Sequence, residues 1–244
     1  MLTLVKKQQI IINENALILL VVLVRGKLIV LEGTDSSGKT TQYNELVKRL
    51  KADGKEIVQY HFPKHGNLFG EVVDDYLMGK FGKKEDLSSE FVAMLYMTDF
   101  YNSKKEMEEY LDQGKHVILS RFFSSTLTYE VALTREAKRE EMWQWIRKVC
   151  ERLPQPDLTL VLTVDPSISQ KLLDNSNNAD AYKKGATKDQ HENDIEFQKN
   201  VFAEYERNII KLGWKQIDCV ENQTLLPIQK IHEKIYAEVK KVLE

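Results

Sequence analysis

The sequence has few cysteines and prolines, and charge of neither sign dominates it. Its 244 residues include two cysteines, Cys150 and Cys219, which show no metal-ligand spacing. We expect buried thiols in a reducing compartment rather than a disulfide or a zinc site. The five prolines mark boundaries and form no linker. A net charge of −2 provides no basic footprint, which argues against nucleic-acid polymers as partners.

The sequence also lacks an apolar run long enough to cross a membrane. The run Ala16–Val24 has nine apolar residues, whereas a spanning helix needs about twenty. Lys6 and Lys7 precede it, so a secretory signal is one alternative, but no small-residue cleavage site follows. Residues 1–25 are therefore interpreted as an extension of uncertain status, either an extra strand or helix or sequence that the cell does not use. We expect a cytoplasmic protein with no membrane partner.

The composition is that of an ordinary globular protein, with 42% hydrophobic and 30% charged residues. Apolar runs typical of strands alternate with helical patterns, which predicts a parallel sheet with helices on both faces. The predicted strands are Lys27–Leu31, Glu56–Tyr60, His116–Leu119, Leu158–Val164 and Lys215–Ile217. The predicted helices are Thr40–Ala52, Gly70–Leu77, Leu87–Gln113, Glu136–Arg152, Glu192–Leu212 and Leu225–Leu243. Ligands of such sheets bind beyond the carboxyl ends of the strands.

The most informative segment runs from Gly33 to Thr40 and fits the pattern G-x-x-x-x-G-K-[ST]. Its two glycines let backbone N–H groups close around a polyphosphate. Lys39 can reach the β- and γ-phosphates, and the Thr40 hydroxyl can ligate Mg²⁺. The alternative is a glycine-containing surface turn, but a strand before the loop and a helix after it favour a nucleoside triphosphate site. The residues expected to bind ATP are Gly33, Thr34, Asp35, Ser36, Ser37, Gly38, Lys39, Thr40 and Thr41.

Two segments depart from the regular alternation. The helical pattern from Leu87 is too widely apolar for a helix with one buried stripe, so part of it is expected to face the core, a ligand pocket or another subunit. The stretch near 174–190 is polar and carries Lys183, Lys184 and Lys188. It is either a mobile loop or a lid that closes over phosphates.

Five segments then follow one another at spacings that resemble one family. Leu31–Gln42 is similar to E-G-x-D-x-x-G-K-[ST]-T-Q, Phe62–Gly66 to F-P-R-Y-G, Ser120–Tyr129 to D-R-Y-x-x-S-x-x-A-Y, Leu153–Leu158 to L-P-x-P-D-L, and Asp189–Glu192 to D-x-x-E. Together they resemble thymidylate kinases, which phosphorylate dTMP to dTDP using ATP and Mg²⁺. The resemblance covers residues 26–244. It implies a P-loop NTPase three-layer fold with a five-stranded parallel sheet, helices on both faces and a small lid.

The resemblance also implies roles for individual residues. Lys39, Arg121 and Asp35 would be catalytic, with Arg121 holding the acceptor monophosphate through its planar, permanently charged fork. The acceptor-binding residues would be Asp35, Phe62, Lys64, Tyr96, Phe100, Arg121, Ser125, Tyr129 and Glu192. The residues implied to meet the metal are Thr40, Asp35 and Glu192. Several have plainer alternatives: Asp35 as a turn residue, Phe62, Tyr96 and Tyr129 as packed aromatics, and Glu192 as a first-turn acid. A homodimer is the family's usual assembly.

The chain departs from the family's pattern in the acceptor site. Phe100 stands where an arginine normally hydrogen-bonds the thymine edge, and phenylalanine cannot donate a hydrogen bond. Ser120 replaces the acid before the motif arginine, and Lys64 stands where an arginine is common. Because of Phe100, discrimination for thymine must weaken or come from other groups, whereas Ser120 removes a carboxylate that is usually close to the metal and the loop lysine.

A further departure concerns the catalytic arginine that these enzymes place in the loop or the lid. The loop has Ser36 and Ser37 instead, and no arginine lies between Arg152 and Arg207. We therefore expect a slower or less selective enzyme than is typical. The leading interpretation is a dTMP kinase of dTTP synthesis. The alternatives are a same-fold kinase with shifted base preference and a weakly active nucleotide-binding homologue.

Overall fold

Five parallel strands form the central sheet of the protein. The computed structural model describes residues 11–13, 16–18, 24–35, 37–166, 168 and 194–244. The strands are β1 (Ile11–Asn13), β2 (Ala16–Ile18), β3 (Leu28–Gly33), β4 (Ile57–His61), β5 (His116–Ser120), β6 (Leu158–Thr163), β7 (Lys215–Asp218), β8 (Val220–Glu221) and β9 (Thr224–Leu225). The central sheet has the order β4-β5-β3-β6-β7, and β1-β2 and β8-β9 are separate antiparallel pairs. All four pairings in the central sheet are parallel, as the sequence predicts.

The helices cover both faces of this sheet. They are α1 (Lys39–Ala52), α2 (Leu68–Leu77), α3 (Ser89–Asp112), α4 (Phe123–Leu133), α5 (Arg139–Cys150), α6 (Ile195–Leu212) and α7 (Ile228–Leu243). Successive side chains of a strand point to opposite faces, so the central strand β3 contributes residues to the hydrophobic core on each side of the sheet. Leu28 and Val30 pack with residues of α3, α4 and α5, while Ile29 and Leu31 pack with residues of α1 and α7. The predicted three-layer arrangement is confirmed.

The boundaries of several elements differ from the prediction. The helix α4 was absent from the predicted helices, although the motif Ser120–Tyr129 lies partly in it. The predicted helix from Glu136 begins at Arg139, after a 3₁₀ turn. The last helix begins at Ile228 rather than at Leu225, because Leu225 lies in the β8-β9 pair.

Some predictions fall on residues that the structure does not describe. They are the lid near 174–190 with its lysines, Glu192 and Ser36. Of the N-terminal extension, the backbone of β1 and β2 is described, and the two strands pair with each other. No helix in the described part of the chain is long and apolar enough to cross a membrane.

Candidate active site

The glycine loop connects the central strand to the first helix at the carboxyl edge of the sheet. β3 ends at Gly33, and α1 begins directly after Gly38, which has a φ of 81° in the left-handed region that favours glycine. A Cβ on Gly33 would lie 2.7 Å from the carbonyl oxygen of Leu162 on the neighbouring strand. Glycine at position 33 therefore lets the loop lie close against β6 before it turns into the helix.

Polar groups of the loop converge on its interior. The Lys39 ammonium donates to the carbonyl oxygens of Gly33, at 3.4 Å, and Thr34, at 3.5 Å. The hydroxyls of Thr34 and Ser37 are buried and have no hydrogen-bond partner among the described residues. Buried hydroxyls are normally paired, so these two suit a ligand with many acceptor oxygens. Thr40 is exposed at the first turn of the helix.

Arg121 and Asp35 form an ion pair beside the loop. Arg121 follows β5 directly and has a φ of 64°, a sparsely populated conformation for a non-glycine residue. Its Nη2 donates to the Asp35 carboxylate. The other carboxylate oxygen accepts hydrogen bonds from the Tyr129 hydroxyl, at 3.1 Å, and from the Gln198 amide, at 2.8 Å. Three donors from three segments thus fix the orientation of Asp35.

The second nitrogen of the guanidinium group is held from the other side. Arg121 Nη1 lies 3.2 Å from the Ser125 hydroxyl and 3.5 Å from the Tyr129 hydroxyl. Burial alone would lower the pKa of Arg121, but Tyr129 and the Asp35 carboxylate outweigh it, and the pKa is raised well above its ordinary value. Arg121 is therefore a permanent cation, as an anion-binding role requires.

A buried carboxylate lies behind this pair. Glu32 is 0% exposed. It accepts hydrogen bonds from the backbone N–H groups of Phe122 and Ser125, both at 3.1 Å. The hydroxyls of Ser124, Ser125 and Tyr205 donate to it at 2.6, 2.5 and 3.0 Å. Glu32 therefore joins the end of β3 to the start of α4 and to α6.

Phe62, one of the two aromatic residues predicted to pack around the base, lies with Phe100 in an aromatic cluster of the core. The ring of Phe100 lies edge-on to Phe62 at 5.0 Å and to Phe122 at 5.1 Å between centroids. Phe62 and Phe100 are each 1% exposed. Tyr96 is half-buried, with its ring 6.3 Å from that of Tyr76. The structure brings these predicted residues together, and their contact with a base stays a prediction.

Lys64 lies at the rim of this cluster. Its backbone N–H donates to the carboxylate of Asp99 at 2.7 Å, and its ammonium lies 3.7 Å from a Glu106 carboxylate oxygen. Asp99 is 1% exposed, and burial raises its pKa. Asp99 thus anchors the segment after Phe62, while the Lys64 side chain points toward another acid.

Thr40 and Asp35 are the described residues that the sequence resemblance implies as magnesium ligands. The described residues contain no group of three or more His, Cys, Asp or Glu side chains that could hold a metal ion. Mg²⁺ in a nucleotide site usually takes one or two protein ligands and completes its shell with phosphates and water. The exposed Thr40 hydroxyl suits that role better than Asp35, because three donors already occupy the Asp35 carboxylate.

Sequence reasoning missed three residues of this site. Glu32 was part of a quoted motif but had no role; an acid inside the apolar strand Leu28–Gly33 was the available signal. Gln198 and Tyr205 lie on α6 on the same side as the buried Val201. A glutamine beside the apolar residues Phe197 and Val201 of the same helix was the available signal for Gln198. No local pattern indicated that Tyr205 reaches Glu32.

The glycine loop and the Arg121–Asp35 pair both contain groups suited to binding phosphate. The loop holds the buried hydroxyls of Thr34 and Ser37 and the ammonium group of Lys39, and Arg121 is a second fixed cation beside it. The fold and the site therefore define a P-loop kinase. The family model described as "Thymidylate kinase" matches residues 31–235. The chain belongs to the thymidylate kinase family.

Individual relatives span nearly the whole chain. The thymidylate kinase of Homo sapiens is 28% identical over 213 residues, which cover 86% of this chain and 88% of that protein. The thymidylate kinase of Schizosaccharomyces pombe is 25% identical over 211 residues, 86% of this chain and 90% of that protein. The solved structure of the thymidylate kinase from Candida albicans has a TM-score of 0.70 and 23% identity, covering 90% of this chain and 94% of that chain. At that identity the likeness shows the fold alone.

Proposed function

We propose that the protein transfers the γ-phosphoryl group of ATP to dTMP, giving dTDP for dTTP synthesis. The observation that carries this proposal is the pairing of a complete phosphate-binding loop with the Arg121–Asp35 pair at the same edge of the sheet. Membership of the thymidylate kinase family supports dTMP as the acceptor. The relatives described above share that name, so neither a shifted base preference nor a weakly active homologue is favoured.

The reaction needs alignment and charge neutralisation rather than a covalent intermediate. Lys39 would exchange its contacts with the loop carbonyls for contacts with β- and γ-phosphate oxygens. Arg121 holds the acceptor phosphate, because Asp35 and Ser125 fix both nitrogens of its fork. Asp35 faces the acceptor sugar. When bound through Thr40, Mg²⁺ supplies further charge neutralisation at the triphosphate; Asp35 and Glu192 remain proposed as additional ligands.

Base recognition is proposed to rest on the aromatic residues and on polar groups around them. Phe62 and Tyr96 would pack against the thymine ring. Phe100 has no hydrogen-bond donor and is held between Phe62 and Phe122, so it would contribute to the shape of the base-binding site. Ser125 and Tyr129 would border the sugar and phosphate, with Lys64 at the rim. In this proposal Arg121 provides the charge that binds the phosphate, and the aromatic residues provide the hydrophobic contact with the base.

We also propose a homodimer and a cytoplasmic location. The helix α3 leaves Phe91, Met94 and Tyr101 exposed by 42%, 44% and 37%, which supplies an apolar face for a second copy. Sedimentation of the purified protein at micromolar concentration tests this, and a monomer would overturn it. Cys150 and Cys219 are buried free thiols, which suits a reducing compartment.

The proposed reaction requires the ammonium group of Lys39. We expect Lys39→Ala to lower kcat by about a hundredfold or more, because the charge at the developing transition state is lost. The measurement is ADP release in a coupled assay with ATP, Mg²⁺ and dTMP. Lys211→Ala, on the surface of α6, is the matched control and should retain the wild-type rate. A Lys39→Ala variant with the wild-type rate would contradict the proposal.

A further inference from the structure

Glu32 is a fully buried acid in an otherwise apolar strand. It stands directly before Gly33, the first residue of the glycine loop. Burying a carboxylate is costly unless donors surround it. The five donors described above supply that compensation, and they belong to the segments that follow Arg121 and to α6.

The link between Glu32 and the guanidinium group of Arg121 passes through one hydroxyl. Ser125 donates to Glu32 Oε2 at 2.5 Å and accepts from Arg121 Nη1 at 3.2 Å. A serine hydroxyl has a single proton and two lone pairs. Because the proton is committed to Glu32, a lone pair is left for Arg121. The carboxylate thus sets the direction of the hydroxyl that orients the guanidinium group.

We propose that Glu32 is a positioning residue for the acceptor phosphate, acting through Ser125 on Arg121. The inference rests on the proposed function in one respect, the assignment of the phosphate to Arg121. Glu32 itself touches neither substrate. Its contribution is to keep the fork of Arg121 in one orientation before the acceptor arrives, which reduces the entropy lost on binding.

The two neighbouring serines separate this role from simple stabilisation. Ser124 and Ser125 both donate to the same carboxylate, at 2.6 and 2.5 Å. Ser125 also contacts Arg121, whereas the described contacts of Ser124 are with Glu32 and with Thr128 of its own helix. Removing either hydroxyl takes one hydrogen bond from Glu32. Only removal of the Ser125 hydroxyl breaks the path to Arg121.

The first experiment compares KM values for the two substrates. Glu32→Gln replaces one carboxylate oxygen, a hydrogen-bond acceptor, with an NH₂ donor that faces other donors. Ser125→Ala removes the hydroxyl between Glu32 and Arg121. We expect each to raise KM for dTMP about tenfold or more, the loss typical of a hydrogen bond to a charged group, with KM for ATP within about twofold. Ser124→Ala should leave both KM values within about twofold. Because the two effects share one path, Glu32→Gln/Ser125→Ala should resemble the single variants.

A second readout is independent of the acceptor's identity. The Nε–H signal of Arg121, assigned in ¹⁵N NMR spectra by its loss in Arg121→Lys, should be a single sharp line in wild type and Ser124→Ala. It should shift or broaden in Ser125→Ala, as the guanidinium group gains alternative orientations. Equal rises in KM for ATP and dTMP, an effect of Ser124→Ala as large as that of Ser125→Ala, or an unchanged Arg121 signal would each overturn the inference. Absence of wild-type turnover with dTMP would instead overturn the proposed function, and the NMR comparison would still decide the role of Glu32.

Discussion

At the scale of single residues, Phe100 shows how a substitution can be absorbed into the core. Its ring is 1% exposed between Phe62 and Phe122. Phe100→Arg would place a guanidinium group among these rings. We expect it to lower the free energy of unfolding by roughly 3–5 kcal/mol, the range for an uncompensated buried charge, as measured by urea denaturation. Phe100→Leu is the control and should cost less, because it stays apolar.

An Arg variant as stable as wild type would contradict this account of Phe100. It would mean that the guanidinium group reaches solvent or an acid, and that the position belongs to the pocket rather than to the core. In that case the variant should also lower KM for dTMP, since arginine could then read the base edge.

Glu130 on α4 gives a prediction about pH. Its side chain is 0% exposed, and neither carboxylate oxygen has a hydrogen-bond partner among the described residues. Burial, followed by the charge of Glu90, raises its pKa well above the ordinary value. The folded state therefore keeps a proton that the unfolded state loses above its pKa of about 4.3. The stabilisation of the folded state is complete below that pKa and is lost as pH rises through the raised pKa.

We expect the free energy of unfolding of wild type to fall between pH 5 and pH 8 relative to that of Glu130→Gln. The relative slope should not exceed about 1.4 kcal/mol per pH unit, the value for one proton. Urea denaturation across this range measures it, and the difference between the two proteins removes the contribution of other groups. Parallel curves would show that Glu130 ionises normally in the folded state.

At the scale of helices, α6 connects Asp35 and Glu32 to the segment before α3. Asp194 caps α6 by accepting a hydrogen bond from the backbone N–H of Phe197 at 2.9 Å, and it pairs with the buried Lys84 at 2.9 Å. Further along the helix, Gln198 and Tyr205 donate to Asp35 and Glu32. The start of α6 therefore positions side chains that hold the site's two acids.

Removal of the cap should destabilise the protein. Burial opposes the ionised form of Asp194, but the Phe197 N–H and Lys84 outweigh it, so its pKa is lowered. Its contribution to stability is therefore present at neutral pH and is lost as pH falls through the lowered pKa. We expect Asp194→Ala to cost about 0.5–2 kcal/mol in the free energy of unfolding at pH 7. Asp194→Asn keeps the cap acceptor and should recover part of this; equal stability of all three proteins would refute the cap's contribution.

The helices also show where sequence patterns stop being informative. The strand, loop and helix around Gly33 could be predicted because the signals are local: an apolar run, two glycines and a 3.6-residue period. In α4, nine of eleven residues are buried. A helix that is buried on nearly all sides has no amphipathic stripe, so its period gave no signal even though it carries Ser125 and Tyr129.

At the scale of the whole molecule, the predicted sheet and layers are confirmed, while the acceptor-binding roles stay predictions. Asp35 and Arg121, 86 positions apart, could be brought together because the carboxyl ends of parallel strands meet at one edge. The contacts of Gln198 and Tyr205 with Asp35 and Glu32 could not be predicted, because they depend on how α6 packs against α4. Phe100 was predicted to weaken recognition from its chemistry, but its place in an aromatic cluster depends on tertiary packing.

The central claim is that dTMP accepts the phosphoryl group held between Lys39 and Arg121. The most direct measurement is kcat/KM from coupled ADP release, with ATP, Mg²⁺ and a panel of dTMP, dUMP, dCMP, dGMP and AMP. We expect the highest value for dTMP, with ADP release well above the ATP-only background. No turnover of dTMP above that background, or a higher kcat/KM for another monophosphate, would contradict it.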